Sequence, residues 1–359
     1  MTSARRSLPV LGLAAASVLV LSGCAGAAGA GDPTGEAADG RIAVVASTNV
    51  YGQIAEEIGG DLVDVTSIVT NESQDPHSFE PSARDQLTVS KADLIIENGG
   101  GYDAFIDALI ESSGTDAPVV TAVEYSHDWP ENAGHDDQAH ADDHATEEAH
   151  DETEDAHDHA TEEAHADDDH AHDHAHDHSG HNHVEGFNEH VWYDPHTIEH
   201  VAEAIAVELG ELSPENAETF TANAEAFAAE VAGLETSLDE IGAAYAGEKV
   251  FVTEPVPVYL IEAAGLENAT PAKFSEAVEE GQDVAPATLL ESLALVKGGE
   301  VRVVITNTQT GGAETQEIVN EAEGLSIPVI AFSETLPEGQ TYISWMQANI
   351  EALNGALQA

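Results

Sequence analysis

The sequence has a single cysteine, nine lysines and arginines against 69 aspartates and glutamates, and no lysine or arginine between Lys91 and Lys249. One cysteine, Cys24, excludes an internal disulfide. A formal net charge of −60 repels phosphate backbones, which excludes ordinary nucleic-acid binding, and it concentrates cations near the surface. The apolar run from Leu8 to Leu21 is too short to span a bilayer comfortably. No His-Glu-x-x-His occurs, and no Gly-Lys-Ser/Thr follows the glycine-rich turn Asn98 to Gly101, so neither a zinc-protease helix nor a phosphate loop is legible. That turn reads instead as a tight strand-to-helix connection.

Histidine is present in excess and in one place. Fifteen of the nineteen histidines fall between His127 and His183, in runs such as His170-Ala171-His172-Asp173-His174. Imidazole is the commonest side-chain ligand for Zn²⁺, Ni²⁺ and Cu²⁺, and the interleaved carboxylates attract cations and add oxygen ligands. The segment His144 to His150 recurs at His159 to His165 without an apolar stripe, which predicts a tract that is disordered without metal. This composition implies a protein that handles a transition metal.

The N-terminus suggests where. Arg5 and Arg6 precede the apolar run, and Leu21-Ser22-Gly23-Cys24 follows it. That order reads as a secretory signal ending in a lipobox, with cleavage before Cys24 and acylation of its thiol. Residues 1–23 are thus expected to be a lipoprotein signal peptide and 24–40 a flexible tether. The remaining ~320 residues suffice for two lobes.

From Arg41 short β-branched runs alternate with helical stretches, the pattern of parallel sheets covered by helices. Strands are expected at 42–47, 62–69, 94–97 and 119–123, with helices at 51–58, 82–90 and 102–111. Residues 41–125 would form an N-terminal α/β lobe, 126–187 a disordered metal-collecting loop, and 188–212 a return segment carrying a helix from Thr197 to Leu209. Ser213 as N-cap and Pro214 at the first helical position begin a rod over 213–246. Phe220, Ala224, Phe227, Val231, Leu234, Leu238 and Ile241 recur along it at spacings of three and four. Residues 247–359 repeat the alternation as a C-terminal α/β lobe, with strands at 250–253, 301–306 and 328–332. Helices are expected there at 257–264, 287–296, 312–322 and 341–353. The fold class is therefore α/β: two lobes of parallel sheet flanked by helices, joined by one long rigid helix, with a site in the cleft.

Two of the four histidines outside the tract have informative neighbours. Asp75-Pro76-His77-Ser78-Phe79-Glu80-Pro81 places His77 in a proline-bracketed loop after a strand, and His190-Val191-Trp192-Tyr193-Asp194-Pro195 places His190 among aromatics before a helix. Glu80 could orient the His77 imidazole. His196 and His200, one turn apart, form a possible i, i+4 chelating pair.

These segments resemble the two histidine loops of the metal-binding lipoproteins of bacterial zinc and manganese ABC importers, the cluster A-I solute-binding proteins. The tract before His190, Asn98-Gly99-Gly100-Gly101-Tyr102-Asp103, the rod beginning at Pro214, and Glu334-Thr335-Leu336-Pro337 are also similar, so the resemblance covers about 41 to 355. It implies His77 and His190 as ligands, with Glu254 of Val252-Thr253-Glu254-Pro255 at the third position. Asn307 of Ile305-Thr306-Asn307 stands at the fourth, where an acid is the rule. His77, His190 and Glu254 with a water would suit tetrahedral Zn²⁺, whereas Asn307 and a bidentate Glu254 would suit Mn²⁺. The tract favours zinc, because Mn²⁺ binds imidazoles weakly.

The function this implies is capture of Zn²⁺ as cargo and delivery to a membrane permease with its cytoplasmic ATPase. The protein would be a monomer held by a lipid on Cys24 to the outer face of the cell membrane. Three alternatives stay open: a manganese-binding importer component, a surface metal buffer or adhesin in which only the tract matters, and a secreted metallohydrolase. The leading reading expects no enzymatic activity.

Overall fold

The computed structural model describes residues 40–132, 184 and 186–359, and everything below concerns these. The predicted signal, the tether, Cys24 and most of the histidine-rich tract lie outside the described residues.

In the first lobe β1 (Ile42–Thr48), β2 (Val63–Val69), β3 (Leu94–Glu97) and β4 (Val119–Thr121) pair in parallel in the order β2-β1-β3-β4. Helices α1 (Asn49–Gly59), α2 (Ala83–Val89) and α3 (Ala104–Ser113) connect them. All four residues of β3 are buried, as expected of a strand covered on both faces. β4 stops two residues short of the expected Val123, because the Val123 N–H turns to the Asn98 carbonyl and Ala122–Tyr125 form a 3₁₀ turn.

The chain resumes at α4 (Pro195–Leu212), which begins two residues before the expected Thr197. Asp194 causes the early start: its carboxylate accepts from the His196 and Thr197 N–H groups, and Pro195 presets the first turn. Next comes α5 (Ala217–Tyr245), ~44 Å long at 1.5 Å per residue. Its buried residues are the seven of the expected stripe, Phe220 to Ile241. The expected Ser213 cap is not formed. A 3₁₀ turn, Pro214–Asn216, precedes the helix, and Ser213 Oγ accepts from the Asn216 side chain at 2.9 Å instead.

The second lobe repeats the first. β5 (Lys249–Val252), β6 (Glu267–Asn268), β7 (Val301–Asn307) and β8 (Val329–Phe332) run parallel in the order β6-β5-β7-β8. Helices α6 (Val258–Ala263), α7 (Ala272–Glu279), α8 (Pro286–Lys297), α9 (Ala313–Gly324) and α10 (Tyr342–Leu357) surround them. Neither β6 nor α7 was expected: one has two residues and the other eight.

One hydrophobic core runs through both lobes, joining Val44 and Leu94 to Trp192, the stripe of α5, and Ile305 and Trp345. Polar contacts reinforce the junction. Asn49 and Leu336 exchange two hydrogen bonds of 2.8 and 3.0 Å, Tyr342 Oη donates to the Trp192 carbonyl, and Tyr193 Oη donates to the Ser333 carbonyl at 2.6 Å. In each sheet the chain order reverses beside its first strand, between β1 and β3 and between β5 and β7. Ligands of open parallel sheets collect beyond the strand C-termini at such a reversal.

Candidate metal site

His77 is set by its own loop. Asp75 caps a 3₁₀ turn (Pro76–Ser78), its Oδ1 accepting the His77 N–H at 2.9 Å and its Oδ2 accepting the Ser78 hydroxyl at 2.8 Å. The imidazole meets the Tyr102 ring edge-on, with centroids 4.8 Å apart. Tyr102 is placed by the turn before it. Gly99, Gly100 and Gly101 all have positive φ, and a Cβ at Gly99 would lie 2.5 Å from Thr121 Cγ2, so only glycine fits there. The Asp103 carboxylate closes this turn by accepting the Asn98 and Gly99 N–H groups at 2.7 and 2.9 Å.

His190 is fully buried, its ring 6.1 Å from that of His77 and packed against Trp192. Its Nδ1 lies 2.8 Å from Asn188 Oδ1, while Asn188 Nδ2 donates to the Pro255 carbonyl at 3.1 Å. An amide oxygen facing Nδ1 requires that nitrogen to carry the proton, which leaves Nε2 with the lone pair. Asn188 thus selects the tautomer and ties His190 to the residue following Glu254.

The second lobe supplies carboxylates. Glu254 follows β5, Asn307 ends β7, and Glu334 follows β8, all buried. Asn307 Nδ2 donates to Glu254 Oε2 at 3.0 Å and to Glu334 Oε1, while Asn307 Oδ1 accepts the Gln309 N–H at 3.0 Å. Two carboxylates need donors and a backbone N–H needs an acceptor, so the amide has one consistent orientation. Its nitrogen, not its oxygen, faces the acids. Thr310 donates a second hydrogen bond to Glu254, and Tyr102 Oη donates to Glu334 Oε2 at 3.3 Å, across the lobes.

His77, His190 and Glu334 place ligand atoms within 4.8 Å of one another, close enough for one cation among them. His77, Glu189 and Glu279 form a second set at the same spacing. Burial pushes Glu334 up to about 8, with Glu254 and Asp75 adding to the rise and the Asn307 hydrogen bond opposing it. Burial likewise holds Glu279 far above the ordinary carboxylate range, helped by Glu189, Glu334 and Glu254. Burial also raises Glu254, against its bonds from Thr310 and Asn307. So many acids packed together favour a proton or a metal cation in their midst.

Of the four residues expected as ligands, His77 and His190 come together with Glu334, while Asn307 braces Glu254 against that same Glu334. Glu334, Glu279 and Glu189 were not assigned from sequence. Glu334 had a signal, since Glu334-Thr335-Leu336-Pro337 was part of the resemblance; Glu279 had none, because α7 itself was not foreseen. Glu80 is exposed, and the contacts that set His77 come from Asp75 and Tyr102. His196 and His200 sit in the first two turns of α4 with rings 4.7 Å apart, and His196, Glu199 and Glu235 gather there within 4.8 Å. Of the expected collecting loop, Ser126 and Phe187 are buried, and Trp129 meets Phe187 edge-on at 5.1 Å.

Two sheets of one strand order, locked to a long helix and meeting over histidines from one lobe and acids from the other, mark a two-lobed solute-binding protein. The sequence profile described as "Zinc-uptake complex component A periplasmic" matches residues 44–356, and the chain belongs to that family. Among curated relatives, it is 23% identical over 326 residues to the zinc-binding lipoprotein AdcA of Streptococcus pneumoniae, covering 88% of this chain and 56% of AdcA. It therefore spans about half the length of that relative. It is 24% identical over 346 residues to the manganese-binding lipoprotein MntA of Halalkalibacterium halodurans, covering 94% and 95% of the two chains. The crystal structure of ZnuA superposes with a TM-score of 0.62 at 19% identity, covering 88% of this chain and 99% of that one, which shows the shared fold.

Proposed function

We propose that this chain captures a divalent transition metal, Zn²⁺ as the principal cargo, between its lobes outside the cell membrane and delivers it to the permease of an ABC importer. The observation that carries this reading is the convergence of His77 and His190 with the buried Glu334, two imidazole nitrogens and a carboxylate oxygen drawn from both lobes. That donor set suits zinc, with Glu254 braced beside it by Asn307. His77, His190 and Glu334 are the direct ligands in this reading, Glu254 completes the set, and Asn307 holds the acids apart. A lipid on Cys24 holds the protein at the membrane, and the histidine-rich tract gathers metal.

The family description, a zinc-uptake complex component, supports the importer reading, and the relatives' names, a zinc-binding and a manganese-binding lipoprotein, support a divalent metal as cargo. The cleft's role is binding without chemistry on the cargo. Competition titration with a chromophoric chelator tests it: the mature chain should bind one Zn²⁺ tightly, and so should a chain lacking 131–183. His77→Ala/His190→Ala should lose that site. Tight binding that survives this double substitution, and disappears with the tract, would transfer the function to the tract and make the protein a surface buffer.

A further inference from the structure

We infer that Glu189 and Glu279, together with His77, form a second, oxygen-rich position for a divalent cation that overlaps the first and holds a harder ion such as Mn²⁺. This rests on the cleft being the cargo site, and it specifies how that site treats different metals.

Glu279 ends α7 in the second lobe and Glu189 precedes His190 in the first, so this set, like the first, is assembled only across the lobes. Their carboxylate oxygens and one His77 nitrogen lie within 4.8 Å of one another. Glu189 is 3% exposed, and the Glu279 side chain is 13% exposed. Glu279 Oε1 is buried and accepts no hydrogen bond among the described residues. It lies 3.7 Å from His190 Nε2, which makes the two positions adjoin. Among the described residues, the charges that act most strongly on Glu279 are Glu189, Glu334, Glu254 and Glu280, all acids. A buried carboxylate among acids gains nothing from packing, and a glutamine of the same shape would be easier to bury. A cation is the partner that fits.

The two sets differ in chemistry. The first set offers two nitrogens with the Glu334 and Glu254 carboxylates, whereas His77, Glu189 and Glu279 offer one nitrogen and two carboxylates. Imidazole-rich sets favour Zn²⁺, and carboxylate-rich sets suit Mn²⁺. A neutral imidazole has one lone pair to give, so sharing His77 makes the positions mutually exclusive. One ion occupies the cleft, placed according to its hardness.

The test is Glu279→Gln in the full mature chain, titrated separately with Zn²⁺ and Mn²⁺ against chelators, with melting of the metal-free protein as control. The inference predicts at least ~10-fold weaker Mn²⁺ binding, Zn²⁺ binding changed by under ~3-fold, and a metal-free melting temperature that holds or rises. Equal weakening of both metals, no weakening of either, or a less stable metal-free protein would overturn it, the last marking Glu279 as a structural acid. Failure of the underlying reading looks different: the wild-type cleft would bind neither metal tightly, or His77→Ala/His190→Ala would leave binding intact.

Discussion

Replacing Asn188 by alanine isolates how much of the affinity comes from a side chain that touches no cargo. Its Oδ1 lies 2.8 Å from His190 Nδ1 and also accepts the His190 N–H at 3.2 Å, and its Nδ2 reaches the Pro255 carbonyl at 3.1 Å. Alanine removes the acceptor that keeps the proton on Nδ1 and leaves a buried imidazole free to take the wrong tautomer or turn. Losing such an orienting partner weakens a metal site by ~10–100-fold, about 1.4–2.7 kcal/mol in binding free energy. The buried N–H left without its acceptor costs the metal-free fold about 1–3 kcal/mol. Zinc competition titrations of the wild type, Asn188→Ala, His190→Ala and the double variant form a complete cycle. Because Asn188 acts through His190, its loss should matter far less once His190 is gone. If Asn188→Ala weakens binding as much in the His190→Ala background as in the wild type, the tautomer argument is refuted.

Other consequences concern the acids and the turn that frames the site. Asn307→Asp removes the donor between Glu254 and Glu334 and adds a third charge, so chemical denaturation should show the metal-free protein weakened by about 2–4 kcal/mol, with zinc restoring part of the loss. Glu334 is raised from its ordinary value of 4.5 to about 8, so between those limits the folded protein holds a proton that the unfolded chain has released. Its contribution to metal-free stability is therefore full below pH 4.5 and is lost as pH rises towards 8, while zinc affinity rises over the same range as metal replaces the proton. Melting curves with and without chelator should show this, and Glu334→Gln should remove that part of the slope. Gly99→Ala forces a Cβ to 2.5 Å from Thr121 Cγ2 at a φ of +79°, and should cost about 2 kcal/mol or more in denaturant unfolding while displacing Tyr102 from His77.

Much of this architecture was legible in the sequence because its periodicities are strong. The seven apolar residues of α5 are the seven it buries, and β3 keeps its expected limits, Leu94–Glu97. His77 and His190 stood out as isolated histidines in proline-rich and aromatic surroundings. In the proposed site the acid grouped with the histidines is Glu334, one strand beyond the expected Asn307. Asn307 pairs with Phe332 across β7 and β8, and Glu334 lies two residues further on, so the two stand at the same height on neighbouring strands. Sequence spacing cannot distinguish neighbouring strands that end at the same level. Glu279 was hidden for a different reason: α7 has eight residues, and its acid reaches the cleft through tertiary packing with no local pattern to announce it. Asn188 likewise acts through a contact to Pro255, 67 residues away in sequence.

X-ray absorption at the zinc K-edge, on mature protein loaded with less than one equivalent of Zn²⁺, tests the central claim most directly. The account predicts two imidazoles and one or two carboxylate oxygens around the ion at ~2.0–2.2 Å, with the imidazole signal gone in His77→Ala/His190→Ala. Three or four imidazoles in the first shell, unchanged by that double substitution, would place the tight site in the histidine-rich tract and contradict it.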